Sequence, residues 1–304
     1  MIDNFDSKTF KNAIPTLSFK FTQGIESKPI MGLSSLNDLN EFSMVFVSVA
    51  SPEILNKIST SSVSLVILRS LDLEMFQDFE NIKPSLLFVD SPRDVFAELA
   101  HEFGFAGESY SMKELKGDQY GNYHSSVKIQ SNAWVGQNVL IGEGTKIFSG
   151  AFVADNSVIG KNVVLGPNSS VGYRGFGFAK SDSGRRILFP HIGKVILKDE
   201  VEIGANSTVD SGALGDTIIG FATKLDNLVH VGHNCIIGDE VTLAAGVILC
   251  GGVRIENGAW IAPNACVLNN VIIGERAMVG LGATVIRNVE RGGKVAGNPA
   301  RKLP

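Results

Sequence analysis

A branched aliphatic residue recurs every six positions along most of the chain after residue 128. An amphipathic helix has a period of 3.6 and a half-buried strand has a period of 2, so neither produces a period of six. A parallel β-helix does, because each hexad then forms a short strand and a turn, and three hexads close one coil. The longest unbroken series is Ile219, Leu225, Val231, Ile237, Leu243, Leu249, Ile255, Ile261, Val267, Ile273, Val279 and Val285.

A second position of the hexad is also restricted. Four residues beyond most of the aliphatic residues stands a small or β-branched residue, as at Thr145, Ala151 and Cys235, and we expect it to fill the corner of the coil. The same repeat begins earlier with Ile129, Val135, Ile141, Ile147, Val153, Ile159, Leu165 and Val171, and again with Leu197, Ile203 and Val209. The two-site pattern predicts a mainly β protein with a parallel β-helix of hexapeptide repeats.

The register breaks twice. Residues Val171 and Leu197 are 26 positions apart, which predicts an excursion loop over 173–190. Residues Val209 and Ile219 are ten positions apart, so the segment GALGDT holds four additional residues and makes a smaller bulge. Loops that leave a rigid scaffold commonly carry its function.

The N-terminal third has a different pattern. Short β-rich runs at 43–50, 61–68 and 85–90 precede a helix that begins at Ser91 and ends at Gly104. We therefore expect a small α/β nucleotide-binding domain over 1–105 and a polar connector over 106–126. The β-helix should follow over 127–287, with a C-terminal tail over 288–304.

Composition excludes several classes of function. A net charge of −4 without a cluster of Lys or Arg gives no attraction for nucleic acid or for an anionic membrane surface. No segment reaches the roughly 18 apolar residues of a membrane span, and the acidic N-terminus is unlike a secretory signal. The three cysteines are scattered and are expected to be reduced thiols. We expect a cytoplasmic enzyme with no nucleic-acid partner.

Two of the five histidines, His230 and His233, stand three positions apart in NLVHVGHNC. Both should project outside the coil, because Val229, Val231 and Cys235 occupy the inward positions. A metal site needs a third ligand, and no histidine lies in a neighbouring hexad, so we expect no metal. A plain surface histidine and a catalytic base remain the alternatives for His233.

The length of one coil predicts that a glycine lies against His233. One coil is three hexads, so the residue stacked directly above His233 is Gly251 in LCGG. A backbone N–H beside an exposed imidazole pairs a base with an oxyanion donor, which is the geometry that acyl transfer requires. Asp226 and Asn227 in the preceding hexad are candidates to orient the imidazole or to bind a substrate hydroxyl or amide, or they form a solvated turn.

The segments IGANSTVDSGALGDTIIG, KLDNLVHVGHNCIIGD and AAGVILCGG resemble the UDP-3-O-acylglucosamine N-acyltransferases of lipid A biosynthesis. The segments GFGFA, FPHIGKVIL and IMGLSSLNDL are similar to that family too. The resemblance implies a homotrimer of left-handed β-helices with active sites between subunits. It also implies that His233 is the general base, that the Gly251 amide is the oxyanion donor, and that Phe46 stacks on the base of the nucleotide.

The chain departs from the family at three places. Asn270 stands where the family usually has a second active-site histidine, Ile54 stands where it has an aromatic residue, and the chain ends in VAGNPARKLP instead of a helical extension. That ending is similar to the ending of coenzyme-A-dependent sugar acetyltransferases. The residues expected to bind substrate are Phe46, Phe176, Phe178, Asp226, Asn227, Asn234 and Asn270.

The sequence thus predicts an N-acyltransferase that moves an acyl group from a thioester to the amine of a nucleotide-linked amino sugar for surface polysaccharide. An acyl-CoA co-substrate is expected as the donor. The backbone amides of Gly280, Gly282 and Ala283 and the cations Arg301 and Lys302 are expected to bind it. One alternative is the lipid A enzyme, which uses acyl carrier protein. A non-catalytic trimeric scaffold or binding module is another.

Overall fold

The computed structural model describes residues 2, 5–22, 24, 28–76, 82–106 and 123–303. The chain divides into two compact units, one of Met1–Gly107 with Gly177–Ile192 and one of Glu108–Phe176 with Gly193–Pro304. Most of the connector predicted at 106–126 lies outside the described residues. None of the described helices is both long and apolar enough to cross a bilayer.

The first unit is a small α/β fold, as predicted. Its sheet has the spatial order Lys20–Thr22, Ser85–Val89, Leu65–Arg69, Ser43–Phe46 and Gly32–Leu33, and only the Lys20–Thr22 strand is antiparallel to its neighbour. Its helices are Ser7–Ala13, Pro52–Ser59 and Pro92–Glu102, with a 3₁₀ helix at Ser70–Phe76. Ser91 precedes the third helix as expected, but its hydroxyl donates to the Asp94 carboxylate at 2.7 Å and caps no backbone amide.

The predicted excursion loop contains an antiparallel hairpin, Phe178–Lys180 with Arg186–Leu188, that belongs to the first unit. It is held to the helix Pro92–Glu102 by polar contacts. The Arg93 Nη1 atom donates to the Phe178 carbonyl at 2.9 Å, and the Lys180 amide donates to the Asp94 carboxylate at 3.0 Å. Residues 177–192 of the predicted loop therefore form part of the first unit, where they contact the helix Pro92–Glu102.

The second unit is a parallel β-helix with three sheets, which confirms the fold predicted from the six-residue period. Sheet 1 contains Trp134–Val135, Phe152–Val153, Ser170–Arg174, Thr208–Ser211, His230–Val231, Ile248–Leu249, Cys266–Val267 and Thr284–Val285. Sheet 2 contains Leu140–Ile141, Val158–Ile159, Val195–Leu197, Thr217–Ile219, Ile236–Ile237, Arg254–Ile255 and Ile272–Ile273. Sheet 3 contains Lys128–Ile129, Lys146–Ile147, Val164–Leu165, Glu202–Ile203, Lys224–Leu225, Thr242–Leu243, Trp260–Ile261, Met278–Val279, Lys294–Ala296 and Arg301–Lys302.

The aliphatic series forms the axis of the β-helix. Every member from Ile219 to Val285 is at most 3% exposed. The small residues four positions further on, such as Thr145, Ala151 and Cys235, are also buried. Two members of the first series, Ile129 and Ile141, are only partly buried, and each belongs to the first strand of its sheet. The position of a residue within its hexad therefore predicts whether its side chain lies inside the coil.

The C-terminal segment continues the β-helix. Strand Lys294–Ala296 pairs in parallel with Met278–Val279, and Arg301–Lys302 returns antiparallel to Lys294–Ala296. The segment predicted as a tail over 288–304 therefore adds two strands to the end of sheet 3.

Stability measurements on one strand test the hexad directly. Leu243 is fully buried and its neighbour Thr242 is exposed. We expect Leu243→Ala to lower the free energy of unfolding by about 2–5 kcal/mol because it leaves a cavity, whereas Thr242→Ala should change it by no more than about 0.5 kcal/mol. Urea denaturation followed by circular dichroism measures both, and equal effects would contradict the assignment of inward and outward positions.

Candidate active site

His233 lies in the turn that connects His230–Val231 of sheet 1 to Ile236–Ile237 of sheet 2. Gly251 occupies the same turn one coil further along, and the imidazole lies directly against it. A Cβ atom built on Gly251 would stand 2.6 Å from both Cε1 and Nε2 of His233. The structure therefore brings His233 and Gly251 together, as the coil arithmetic predicts, and only a glycine leaves room for the ring.

The Gly251 backbone is only partly used by the coil. Its carbonyl accepts a hydrogen bond from the Asn270 amide at 3.1 Å. None of the hydrogen bonds among the described residues uses the Gly251 N–H as a donor. An N–H group that makes no hydrogen bond within the coil can instead donate to a bound carbonyl oxygen. It would then stabilise the negative charge that develops on that oxygen.

Asn234 holds the imidazole in place. The His233 Nδ1 atom is 3.0 Å from the Asn234 Oδ1 atom. Asn234 is itself fixed by the bulge that follows Val209, because its Oδ1 accepts from the Ala213 amide at 2.9 Å and its Nδ2 donates to the Gly215 carbonyl at 2.9 Å. Its backbone N–H donates to Thr217 Oγ1 at 2.9 Å.

These contacts determine the tautomer of His233. The Ala213 N–H needs an acceptor and the Gly215 carbonyl needs a donor, so the Asn234 amide cannot be flipped. Its oxygen can only accept, and the proton of a neutral His233 therefore lies on Nδ1. The unprotonated nitrogen is then Nε2, which is the atom that faces Gly251 and the one that can act as a base.

The orienting role goes to Asn234 and not to the residues that the sequence analysis offered for it. Asp226 and Asn227 follow the strand Lys224–Leu225 of sheet 3, so they occupy the corner between sheets 3 and 1. Asn227 Oδ1 accepts from the Ala205 amide at 2.7 Å, and Asp226 Oδ1 accepts from the Asn227 amide at 2.7 Å. His233 lies at the corner between sheets 1 and 2, so within one chain a different corner of the coil holds Asp226 and Asn227.

His230 belongs to a polar group that sequence reasoning missed. Its Nδ1 atom is 2.7 Å from Thr208 Oγ1, and its Nε2 atom is 3.8 Å from Asp210 Oδ2. Burial lowers the pKa of His230, and the nearby His233 lowers it further. The sequence did contain a signal for Asp210. Many hexads have glycine directly after the inward aliphatic residue, but Asp210 follows the inward Val209, and the register breaks at this place.

The predicted substrate aromatics lie in two units. Phe46 is half-buried in the first unit, where its ring packs against Phe96 at 5.1 Å and Phe189 at 6.0 Å between centroids. Part of its surface is therefore already engaged in packing. Phe178 lies in the hairpin of the same unit, and Phe176 is an exposed residue at the end of a β-helix segment. Stacking of Phe46 on a nucleotide base stays a prediction.

Asn270 is a turn residue with a φ of 60°, like Asn234. It lies one coil beyond Gly252 in the column of turns that contains His233, so the structure does place it near the predicted site.

The predicted donor-binding amides are already engaged. Gly280 donates to the Val295 carbonyl at 2.8 Å, Gly282 to Pro263 at 2.9 Å and Ala283 to Gly280 at 3.2 Å. The turn and the added strand Lys294–Ala296 use these N–H groups, and their role in binding a donor stays a prediction. Arg301 and Lys302 are exposed at the end of sheet 3, and Lys302 pairs with Glu290 at 3.3 Å.

Cys235 occupies an inward position of the coil. Burial raises the pKa of the Cys235 thiol to about 12, which fits its position as a filler of the coil. Within the described ranges, no three His, Cys, Asp or Glu side chains are grouped closely enough to hold a metal ion.

Comparisons with known proteins agree with this architecture. The family model for the bacterial transferase hexapeptide (six repeats) matches residues 138–173 and 216–251. A solved UDP-N-acetylglucosamine acyltransferase from Francisella novicida is 28% identical, with a TM-score of 0.52, and the match covers 59% of this chain and 67% of that one. The fold and its repeats define the chain as a hexapeptide-repeat β-helix protein, and over the matched residues it is similar to bacterial transferases.

Two relatives are more specific. A UDP-3-O-acylglucosamine N-acyltransferase of Methylorubrum extorquens strain PA1 is 38% identical over 133 residues, which are 44% of this chain and 38% of that protein. The enzyme of the same name from Caulobacter sp. strain K31 is 41% identical over 133 residues, 44% of this chain and 39% of that protein. These relatives confirm the resemblance stated from the motifs, and the match spans well under half of their length.

A substitution at Gly251 tests the contact with His233. We expect Gly251→Ala to push the imidazole away from Asn234, because the added methyl group would overlap the ring, while the coil itself persists. A crystal structure of the variant measures the distance from Nδ1 to Asn234 Oδ1. Gly32→Ala is the control, because no atom lies within 4 Å of a Cβ built there. An unmoved imidazole in Gly251→Ala would contradict the described packing.

Proposed function

We propose that this chain is an N-acyltransferase that moves an acyl group from a thioester to the amine of a UDP-linked 3-O-acylglucosamine. The observation that carries this proposal is the His233 imidazole, held by Asn234 through Nδ1 and packed through Nε2 against the Gly251 backbone. The names of the two relatives support this acceptor, and so favour the lipid A alternative over a different surface-polysaccharide sugar.

The chemistry follows from the two groups. The neutral amine attacks the thioester carbonyl, and His233 Nε2 takes a proton from the nitrogen as the C–N bond forms. The Gly251 N–H donates to the oxyanion of the tetrahedral intermediate. When the C–S bond breaks, the imidazolium returns the proton to the departing thiolate, so the products are an amide and a free thiol.

A second copy of the chain would complete the site. Asp226 and Asn227 lie at the corner between sheets 3 and 1, whereas His233 lies at the corner between sheets 1 and 2. A cyclic trimer of β-helices would bring one corner of each subunit against a different corner of its neighbour. Asp226 and Asn227 would then bind the sugar opposite His233 of the adjacent subunit, as the resemblance implies.

The structure favours a carrier protein over coenzyme A as the donor. The three amides expected to hold a pantetheine arm are engaged within the backbone. At the same end of the β-helix a cavity of about 250 Å³ is lined by residues that include Arg287, Arg301 and Lys302. Glu290 also lines the cavity and pairs with Lys302 at 3.3 Å, so the lining has an excess of positive charge. Such an excess complements the acidic surface of an acyl carrier protein.

Removal of the base tests the mechanism. We expect His233→Ala to lower kcat for acyl transfer by about 10²–10⁴ because general-base catalysis is lost, and to leave the fold intact because the side chain lies outside the coil. His230→Ala should cause a much smaller loss. Steady-state assays with UDP-3-O-acylglucosamine measure both, and equal mild losses would rule out His233 as the base.

Parallel assays with two donors test the donor assignment. We expect turnover with hydroxyacyl carrier protein, and we expect Arg301→Ala/Lys302→Ala to raise the KM for that donor severalfold. Gel filtration of the variant controls for assembly. Turnover with short acyl-CoA but none with acyl carrier protein would reverse the assignment and restore the expectation made from the sequence.

A further inference from the structure

Asp210, Thr208 and His230 form a polar group beside the proposed base that the mechanism above does not use. Thr208 and Asp210 lie on the strand Thr208–Ser211, and His230 is the register partner of Thr208 in the next coil. The His230 ring is held by Thr208 at Nδ1, which turns Nε2 toward the Asp210 carboxylate at 3.8 Å. His230 is close enough to His233 for their charges to interact.

The environment of Asp210 is poor in charge. Its side chain is only 13% exposed, and burial raises its pKa to about 7. The neighbouring strands face it with few ionisable groups: His230 on one side, Arg174 of Ser170–Arg174 on the other, and the Cys235 thiol in the interior. The strands Val195–Leu197 and Thr217–Ile219, which also pack nearby, contain no ionisable side chain.

The acceptor amine in the proposed reaction needs a group that removes a proton from it before it attacks. A primary amine resembling an α-amino group titrates at about 7.7–8.0, so most of it is an ammonium ion at neutral pH. The ammonium has no lone pair and cannot attack a thioester. Two protons must therefore leave the nitrogen, one before attack and one as the bond forms, and His233 can accept only one of them.

We propose that the Asp210–His230 pair binds the ammonium form of the acceptor amine and takes its first proton. This inference rests on the proposed function, because it concerns the nucleophile of that reaction. The pair lies on the His233 side of the coil, and its His230 side chain is 42% exposed, so a ligand can reach it from solvent.

The proton balance is complete. The R–NH₃⁺ group and the Asp210 carboxylate become R–NH₂ and a carboxylic acid, and the neutral amine then attacks as described. After the amide and thiol have formed, the Asp210 carboxyl loses its proton to water through His230. Each turnover therefore releases one proton to solvent, and no oxidant or other reactant is needed.

The pH dependence of Asp210→Asn is the first test. Asp210 accepts a proton only when ionised, so its contribution to kcat/KM rises as pH increases through about 7 and declines when the amine loses its own proton above about 8. We expect the isosteric variant to be at least about tenfold slower at pH 7 and to recover to within about threefold of wild type by pH 9.

An acceptor that is neutral at pH 7 supplies the matched control. An aminooxy analogue of the nucleotide sugar carries no ammonium, and we expect wild type and Asp210→Asn to use it equally well. His230→Gln should show the same pH-dependent loss in milder form. A uniform loss at all pH values, or an equal loss with the aminooxy acceptor, would identify Asp210 as merely structural and overturn the inference.

A binding measurement separates this inference from the proposed function. Calorimetry with UDP-glucosamine should show tighter binding to wild type than to Asp210→Asn at pH 7, with a smaller difference for UDP-N-acetylglucosamine, which has no ammonium. Equal affinities of wild type and variant for UDP-glucosamine would overturn the ammonium site even if acyl transfer is observed. Acyl transfer absent from wild type, with the affinity difference present, would overturn the proposed function alone.

Discussion

The stacking of one coil on the next is the constraint on which the rest of the second unit depends. Backbone hydrogen bonds join each strand to the strand one coil away, for example His230 to Val247 and Gly232 to Leu249. This ladder can form only if the inward aliphatic residues keep their register, because a shift would turn them toward solvent. Outward residues are therefore arranged in columns, and His233 meets Gly251 because both occupy the same place in successive coils.

The site forms where the repeat fails. The four additional residues after Val209 make a bulge whose backbone donors and acceptors point at Asn234. Turn amides of regular hexads also donate to side chains one coil away, as Gln137 does to Asp155, but at Asn234 the bulge adds the Gly215 carbonyl, which fixes the orientation of the side-chain amide. The regular coils thus fix the position of His233, and the irregular segment fixes its orientation. Asp210 stands at the start of the same irregular segment, so both polar groups depend on one break in the pattern.

Much of the β-helix and part of the candidate site could be predicted from the sequence, because a period of six fixes the place of each residue within its coil. The inward series, the corner residues and the contact of His233 with Gly251 all follow from counting. The anchor of Asn234 could not be predicted, since it depends on the path of the bulge. Asp226 and Asn227 were offered as orienting groups because they are close in sequence, yet a corner separates them from His233. The engagement of the Gly280 amide depends on the strand Lys294–Ala296, which lies outside the repeat.

The central claim is that Asn234 holds the His233 proton on Nδ1 and leaves Nε2 as the base. The most direct test is ¹⁵N NMR of the histidine side chains in the resting protein, assigned with His233→Gln, at a pH where the ring is neutral. The account predicts that Nδ1 carries the proton and that Nε2 is unprotonated, with a shift toward the other tautomer in Asn234→Ala. A resting His233 protonated on Nε2, or one unaffected by the loss of Asn234, would contradict it.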